Sequence, residues 1–275
     1  MRADLHLHSS YSDGAYPPRE IARRVAAAGV GLFSLTDHDG MEGEEEARAA
    51  AKEFGLAFVS GWEISSYAEE GKVHVLGYGC RRGKAYETFL EERIRGGLLR
   101  AEDSLKKANA RFSLSLTMED VLREQTEKSA PVHTVHVVRA VARAIGIPSE
   151  KAYSAYFAKG KAAYSALYRP TPEEAVSVIH ACGGIAVLAH PGRLGADCAA
   201  REALADRLCA VGLDGIECFY TSHTVRETER FRAYAKARGL LETGGSDFHA
   251  DGRGEAVGQP EFRPSERLLR ALRIR

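Results

Sequence analysis

The first third of this 275-residue chain alternates short apolar runs with helical stretches, and that order constrains the fold more than any other feature. Residues 3–8 read as a strand. Pro17-Pro18 can open a helix over 17–28, because proline suits a first helical turn, and Gly29 stops it. "GLFSLTDHD" is a second buried strand, and the helix at 41–54 ends near Gly55. "AFVSGWEIS" and "KVHVLGY" are two further strands on either side of the polar turn Glu69-Glu70-Gly71. Strand–helix alternation of this kind predicts a parallel sheet or barrel.

From 82 to 168 the strand pattern disappears. "YETFLEERIRGGLLRAEDSLKKANA" reads as one long helix, and Thr117 with Asp120, and Ser149 before "EKAYSAYF", read as helix caps. Alternation then resumes. Thr171-Pro172-Glu173-Glu174 is a capping box with proline at the first helical position, and its helix runs to Gly183-Gly184. "IAVLAHP", a helix at 199–211, "DGIECFY", a helix at 223–238 and "LLETGGSDFH" complete the series. The expected organisation is one α/β barrel made from 1–81 and 169–275, carrying a small helical insertion at 82–168.

Composition narrows the function classes. Lys+Arg and Asp+Glu both number 38, so the net charge is zero. This argues against bulk attraction to nucleic acid or anionic membrane and leaves a local basic pocket open. No apolar run reaches the length of a membrane span, and the opening residues carry no signal-peptide pattern. Cys80, Cys182, Cys198, Cys209 and Cys218 show no C-x-x-C spacing and read as reduced thiols, several of them core filler; the expected location is cytoplasmic.

Histidines and carboxylates share one address. His6, His8, Asp37-His38-Asp39, Glu63, His190, Asp247 and His249 fall at or just past the C-terminal end of an expected strand; Asp13 lies in the loop after the first strand and His74 within the fourth. In a parallel barrel those ends open onto one face, where barrel active sites sit. Side chains two apart on a strand point the same way, so His6 and His8 can grip one ion together. A lone histidine at such a place is more often structural, and Asp37 and Asp39 can simply stabilise the turn beside His38. The whole set is harder to explain that way. Mixed His/carboxylate donors without thiolate suit Zn²⁺, Mn²⁺ or Fe²⁺.

"DLHLHSSYSDG", "LTDHD", "GWEIS", "VHVLGY", "LAHPGR" and "GGSDFH", in that order, resemble the PHP (polymerase and histidinol phosphatase) family over nearly the whole chain. The resemblance implies a distorted (β/α)₇ barrel with two or three divalent metal ions. It places His6, His8, Glu63 and Asp247 around one ion. Glu63 would bridge to a second ion held by His74 and His190, and Asp13, His38 and His249 would hold a third.

The closer likeness is to the small-molecule phosphoesterase branch. In it Lys161 and Arg193 look like phosphate-binding residues, and His223 in "FYTSHT" looks like the donor of the leaving-group proton. Glu63 and Asp247 then count as catalytic as well as ligating. The branch's Arg-Pro-His stretch reads Thr134-Val135-His136 here. His136 is retained as a substrate contact and the arginine is not, which favours a sugar phosphate or cyclic phosphate over a nucleotide. His133 and His180 match no motif and read as structural.

The expected activity is hydrolysis of a phosphate monoester or cyclic diester, such as a phosphoribose cyclic phosphate or a nucleoside 3′,5′-bisphosphate. A small phosphorylated substrate is expected, with neither a membrane nor a stable nucleic-acid partner. The competing readings are a 5′–3′ exonuclease on short oligonucleotides, a non-catalytic metal-binding module, and an amidohydrolase-type deaminase or C–N hydrolase.

Overall fold

The computed structural model describes residues 1–124, 132, 134–195 and 197–274; His133 lies outside them. The chain forms two compact units, Met1–Glu87 with Pro170–Arg275, and Thr88–Arg169.

The first unit holds a seven-stranded sheet in sequence order: β1 (Ala3–Asp4), β2 (Leu32–Leu35), β3 (Ala57–Ala68), β4 (Gly71–Tyr78), β5 (Ile185–Leu188), β6 (Gly215–Tyr220) and β7 (Leu241–Gly245). Helices α1 (Pro18–Ala27) and α2 (Glu44–Glu53) link the first three strands. Gly29 and Gly55, both at positive φ, follow these helices as expected.

The sheet is not parallel throughout. The β3–β4 turn has two residues, too few for a crossover, so the two strands pair antiparallel as a hairpin. β4 therefore also runs antiparallel to β5, while the remaining pairs are parallel. Its reversed course brings His74 to the mouth from the strand's first half, paired with Ser65.

In the second unit, α3 (Lys84–Phe112) enters from the first and runs on through the long predicted helix, and α4 (Met118–Leu122) carries the Thr117/Asp120 capping box. α5 (Thr134–Ile145) and α6 (Ser149–Ala152) follow. Ser149 is not the cap expected of it: Pro148 takes that position, and α6 passes into a π-helical turn at Tyr153–Phe157. Leu105, Val121, Val137, Val141 and Phe157 form this unit's own core.

Back in the first unit come α7 (Pro172–Ala181), with its Thr171/Glu174 capping box, α8 (Cys198–Ala210), α9 (Val225–Arg238) and α10 (Glu266–Ala271). The last has no counterpart in the sequence reading and is capped by Ser265. No described helix is long and apolar enough to cross a membrane.

Two apolar layers fix the strands. Leu5, Leu32, Leu76, Tyr78, Val187 and Phe262 pack into one cluster; Ile21, Val25, Ala47 and Ala51 of α1 and α2 pack on Leu7, Phe33 and Leu35 in another. Each fully buried Leu, Ile, Val or Phe side chain contributes about 1.5–3 kcal/mol.

The strand expected at 3–8 has regular ladder pairing only at Ala3–Asp4. Beyond it the chain threads between β2 and β7 and bonds to both sides. Leu5 N–H donates to the Gly244 carbonyl and His8 N–H to that of Phe248, while Leu7 O accepts from Thr36 N–H. Leu7 N–H goes to Thr36 Oγ1 rather than to a carbonyl, which breaks the ladder.

Close approach explains the two glycines of "GGSDFH", one across this closure and the other against β6. A Cβ at Gly245 would fall inside the van der Waals envelope of His6 N and Cβ, and one at Gly244 would strike Phe219. Gly245→Ala is expected to destabilise the protein by about 1–3 kcal/mol through overpacking against backbone that cannot yield. Chemical denaturation of that variant measures it; an unchanged midpoint would show that the seam is loose.

Candidate metal centre

His6 and His8 lie on the closing segment, fully buried, with their rings 5.2 Å apart. Opposite them, Glu63 enters from β3 and Asp247 from the turn after β7. His6 Nε2 is 3.4 Å from Glu63 Oε2 and 3.2 Å from Asp247 Oδ1. His8 Nε2 is 3.3 Å and 3.0 Å from the same two oxygens. These four side chains converge on one point.

Glu63 also faces a second group. Its Oε2 is 3.0 Å from His38 Nδ1, and its Oε1 is 2.6 Å from His74 Nδ1 and 3.0 Å from His190 Nε2. A third set comprises His8, Asp13, His38 and His249, with Asp13 Oδ1 3.3 Å from His249 Nε2. The sets overlap: Glu63 belongs to the first and second, His8 to the first and third, His38 to the second and third. The nine residues of the resemblance thus form one connected constellation. His38 stands closer to Glu63 than the assignment to a third ion required.

Backbone strain accompanies it. Asp39, His190 and Asp247 adopt φ of 58°, 25° and 55°. Such conformations cost about 1–3 kcal/mol each and persist where the surroundings over-determine them. Asp39 accepts from Ser65 N–H, and Asp37 accepts from Ser9 N–H, Ser9 Oγ–H and Ser12 Oγ–H. Both therefore buttress the turn around His38, as the structural reading had it.

The donor atoms fit divalent cations. His6 Nε2, both ring nitrogens of His8, His38 Nδ1 and Glu63 Oε2 are buried with no hydrogen-bond partner among the described residues. They face one another at ion-pair distance without hydrogen-bond alignment, and buried polar atoms left that way are costly. Burial disfavours charge on Glu63 and Asp247, yet the surrounding imidazoles outweigh it and hold both carboxyls well below their ordinary range. Burial likewise opposes a proton on His8, but Asp247 and Glu63 raise it to about 10. His74 goes the other way, down to about 3, from burial first, with Lys72 and His38 adding repulsion against the pull of Glu63. Cations entering this set would displace protons from it.

Residues absent from the sequence reading complete the site. Glu217, fully buried on β6, accepts from His6 Nδ1 at 2.9 Å and from His190 N–H at 2.7 Å. It thereby turns His6 Nε2 toward the cluster. A carboxylate inside the apolar run "GIECFY" was the available signal. Tyr220 donates its hydroxyl to Asp247 Oδ2 at 2.9 Å, leaving Oδ1 for the first set.

The other expected site residues are placed differently. Arg193 lies on a short 3₁₀ turn, and its guanidinium donates to Asp247 Oδ2 at 3.1 Å and to the Tyr220 hydroxyl, with the side chain 55% exposed. His223 packs edge-on against Tyr220, with ring centroids 5.1 Å apart, and Tyr220 in turn lies against His190. Its Nδ1–H donates to the Cys218 carbonyl and its Nε2 accepts from Gly192 N–H. His180 pairs with Asp214, consistent with a structural role. His136 is buried on α5 and Lys161 is exposed on a turn, both in the second unit.

A cavity of about 200 Å³ opens over the cluster, lined by Asp13, His38, Glu63, His74, Asp247, His249, Arg193, Lys72, Arg253 and Glu255. Its polar walls and convergent donors suit a small anionic ligand.

Comparison with known proteins agrees with this geometry. A 3′,5′-nucleoside bisphosphate phosphatase of Chromobacterium violaceum is 32% identical over 95% of this chain and 92% of its own. A 5′-3′ exoribonuclease of Haemophilus influenzae is 30% identical over 90% and 89%. A phosphoribosyl 1,2-cyclic phosphate 1,2-diphosphodiesterase of Eggerthella lenta is 32% identical over 90% and 94%. A solved Chromobacterium violaceum structure described as an amidohydrolase, with bound sulfate and no metal, superposes with a TM-score of 0.78 at 32% identity, covering 99% of this chain and 97% of that one. The PHP domain model matches residues 4–165, which include the closing segment, the Glu63 strand and His74. With more than half its length matched and relatives spanning nearly all of it, the chain belongs to the PHP domain family.

Proposed function

We propose that this protein is a metal-dependent phosphoesterase acting on the phosphate monoester or cyclic phosphodiester of a small phosphorylated metabolite. The observation that carries the reading is the constellation around Glu63, whose two carboxylate oxygens face different sets of imidazole nitrogens beneath a polar cavity. The preferred substrates are a nucleoside 3′,5′-bisphosphate or a phosphoribose cyclic phosphate, supported by the activities of the named relatives.

Two or three divalent ions, Mn²⁺, Fe²⁺ or Zn²⁺, would be held by His6, His8, Asp13, His38, Glu63, His74, His190, Asp247 and His249. They would neutralise the phosphoryl oxygens and supply hydroxide near neutral pH. The protein's part is to fix those donors and to orient the ester. Arg193 holds Asp247 with one edge of its guanidinium and turns the exposed remainder toward the cavity, where it can bind a phosphate oxygen. His223 is the proposed donor to the leaving alkoxide; donation requires Gly192 N–H to move off Nε2 and that nitrogen to take up a proton first, which burial of the ring opposes.

Phosphate release from mono-, bis- and cyclic phosphates, assayed with Mn²⁺, Zn²⁺ and Fe²⁺ in turn, tests the reading. Release is expected from at least one bisphosphate or cyclic phosphate and is expected to stop when the ions are chelated. No release from any member of the panel with any of the metals would overturn it.

A further inference from the structure

We propose that Arg24 is a positioning residue for the third donor set: it clamps the loop that carries Asp13 to the loop that carries His249, and so sets the affinity for one of the ions. This rests on the metal-dependent reading and goes beyond it by naming side chains outside the donor set that hold one ion's site together.

Asp13 is the donor that packing holds least. Its side chain is 53% exposed, against 20% or less for the other eight. Its position therefore depends on the backbone of the 9–16 loop. The first half of that loop is anchored by Asp37, which accepts from Ser9 and Ser12. The second half meets the loop after β7, where Ala15 N–H donates to the His249 carbonyl at 2.8 Å. His249 Nδ1–H donates to the Asp247 carbonyl, which leaves Nε2 to face Asp13.

Beside that backbone bond, side chains fasten the same two loops. Tyr16 O–H donates to Asp251 Oδ2 at 2.6 Å, and Arg24 donates to the two Asp251 oxygens at 2.9 and 3.0 Å. The Arg24 guanidinium also lies 3.9 Å from the centre of the Tyr16 ring. Tyr16 in turn stacks on Phe248, with centroids 6.1 Å apart and planes 4° from parallel. Phe248 stands between the donors Asp247 and His249 in the chain, and Asp251 is two residues past His249. Arg24 is itself fixed from α1, because its Nε donates to Glu20 Oε1 at 2.9 Å and the helix packs on the core through Ile21 and Val25. One guanidinium on a packed helix thus grips both loops, by paired hydrogen bonds to one and by its face over an aromatic ring of the other.

Exposed ion pairs usually contribute little, and α1 carries one for comparison. Arg19 pairs with Glu53 of α2 and lies over the Phe54 ring, joining two helices and no donor loop. Arg24 differs in what it joins.

Metal-free wild type, Arg24→Ala, Arg24→Lys, Tyr16→Phe, Arg19→Ala and Asp13→Ala are titrated with Mn²⁺ by calorimetry, with melting curves on the same samples. In Arg24→Ala the affinity for one equivalent is expected to fall about 10–100-fold while the others bind as in wild type. Tyr16→Phe keeps the ring and loses the bond to Asp251, so it should weaken the same equivalent by a smaller factor. Arg24→Lys should recover part of the loss. Asp13→Ala should weaken that equivalent too, and adding Arg24→Ala to it should lower metal affinity no further. Arg19→Ala should bind every equivalent as wild type does, whatever its melting temperature. Unchanged affinity in Arg24→Ala, an equal loss at every equivalent, a further loss in the double variant, or the same selective loss in Arg19→Ala overturns the clamp and leaves the metal reading standing. Should Arg24→Ala not fold, Tyr16→Phe decides by the same criteria. A wild type that binds no Mn²⁺ overturns the metal reading, and the clamp with it.

Discussion

Glu63→Gln is expected to remove at least one bound ion and nearly all activity while the protein stays folded. Glu63 is fully buried, and its two oxygens face His6, His8 and His38 on one side and His74 and His190 on the other. One carboxylate charge placed between two donor sets can offset two cations at once. The amide keeps the shape, removes the charge, and puts an N–H where a lone pair is needed. If the lost stabilisation of the reacting phosphoryl group is about 4 kcal/mol, turnover falls on the order of a thousandfold. Metal content and steady-state turnover, measured with circular dichroism on the same sample, check this. Full metal content with normal turnover would show that Glu63 does not bridge.

Glu217→Ala should have the next largest effect, although this side chain lies behind the donors rather than among them. It removes the acceptor for His6 Nδ1–H and for His190 N–H together. His6 then loses the bond that aims Nε2 at the cluster, and the backbone at His190, held at a φ of 25°, loses an anchor. Metal affinity is expected to fall about 10–100-fold, and stability by about 1–3 kcal/mol for each buried group left unpaired. Glu217→Gln retains the shape and one carbonyl acceptor, so it should recover stability more fully than metal affinity. Dissociation constants and melting curves for both variants separate the two effects. Unchanged metal affinity in the alanine variant would make Glu217 purely structural.

The donor residues were legible because their chemistry and their topology coincide. Histidines and carboxylates at strand ends stand out against apolar runs, and the Thr171/Glu174 and Thr117/Asp120 capping boxes are written in local sequence. Strand direction was less legible. The two-residue turn before Gly71 specifies a hairpin, but the surrounding strand–helix alternation suggested parallel neighbours, and the turn decided the pairing. The shared use of His8 and His38 between donor sets depends on where three separate loops meet, which no local pattern encodes. Arg193 shows the same limit: the sequence placed it after the ligand strand, and only the fold shows its bond to Asp247.

Calorimetric titration of metal-free protein with Mn²⁺ measures most directly whether these side chains form a multinuclear centre. Two or three equivalents should bind, with at least one fewer in Glu63→Gln. Fewer than two equivalents in the wild type, or the same stoichiometry in both proteins, would contradict a centre organised around Glu63.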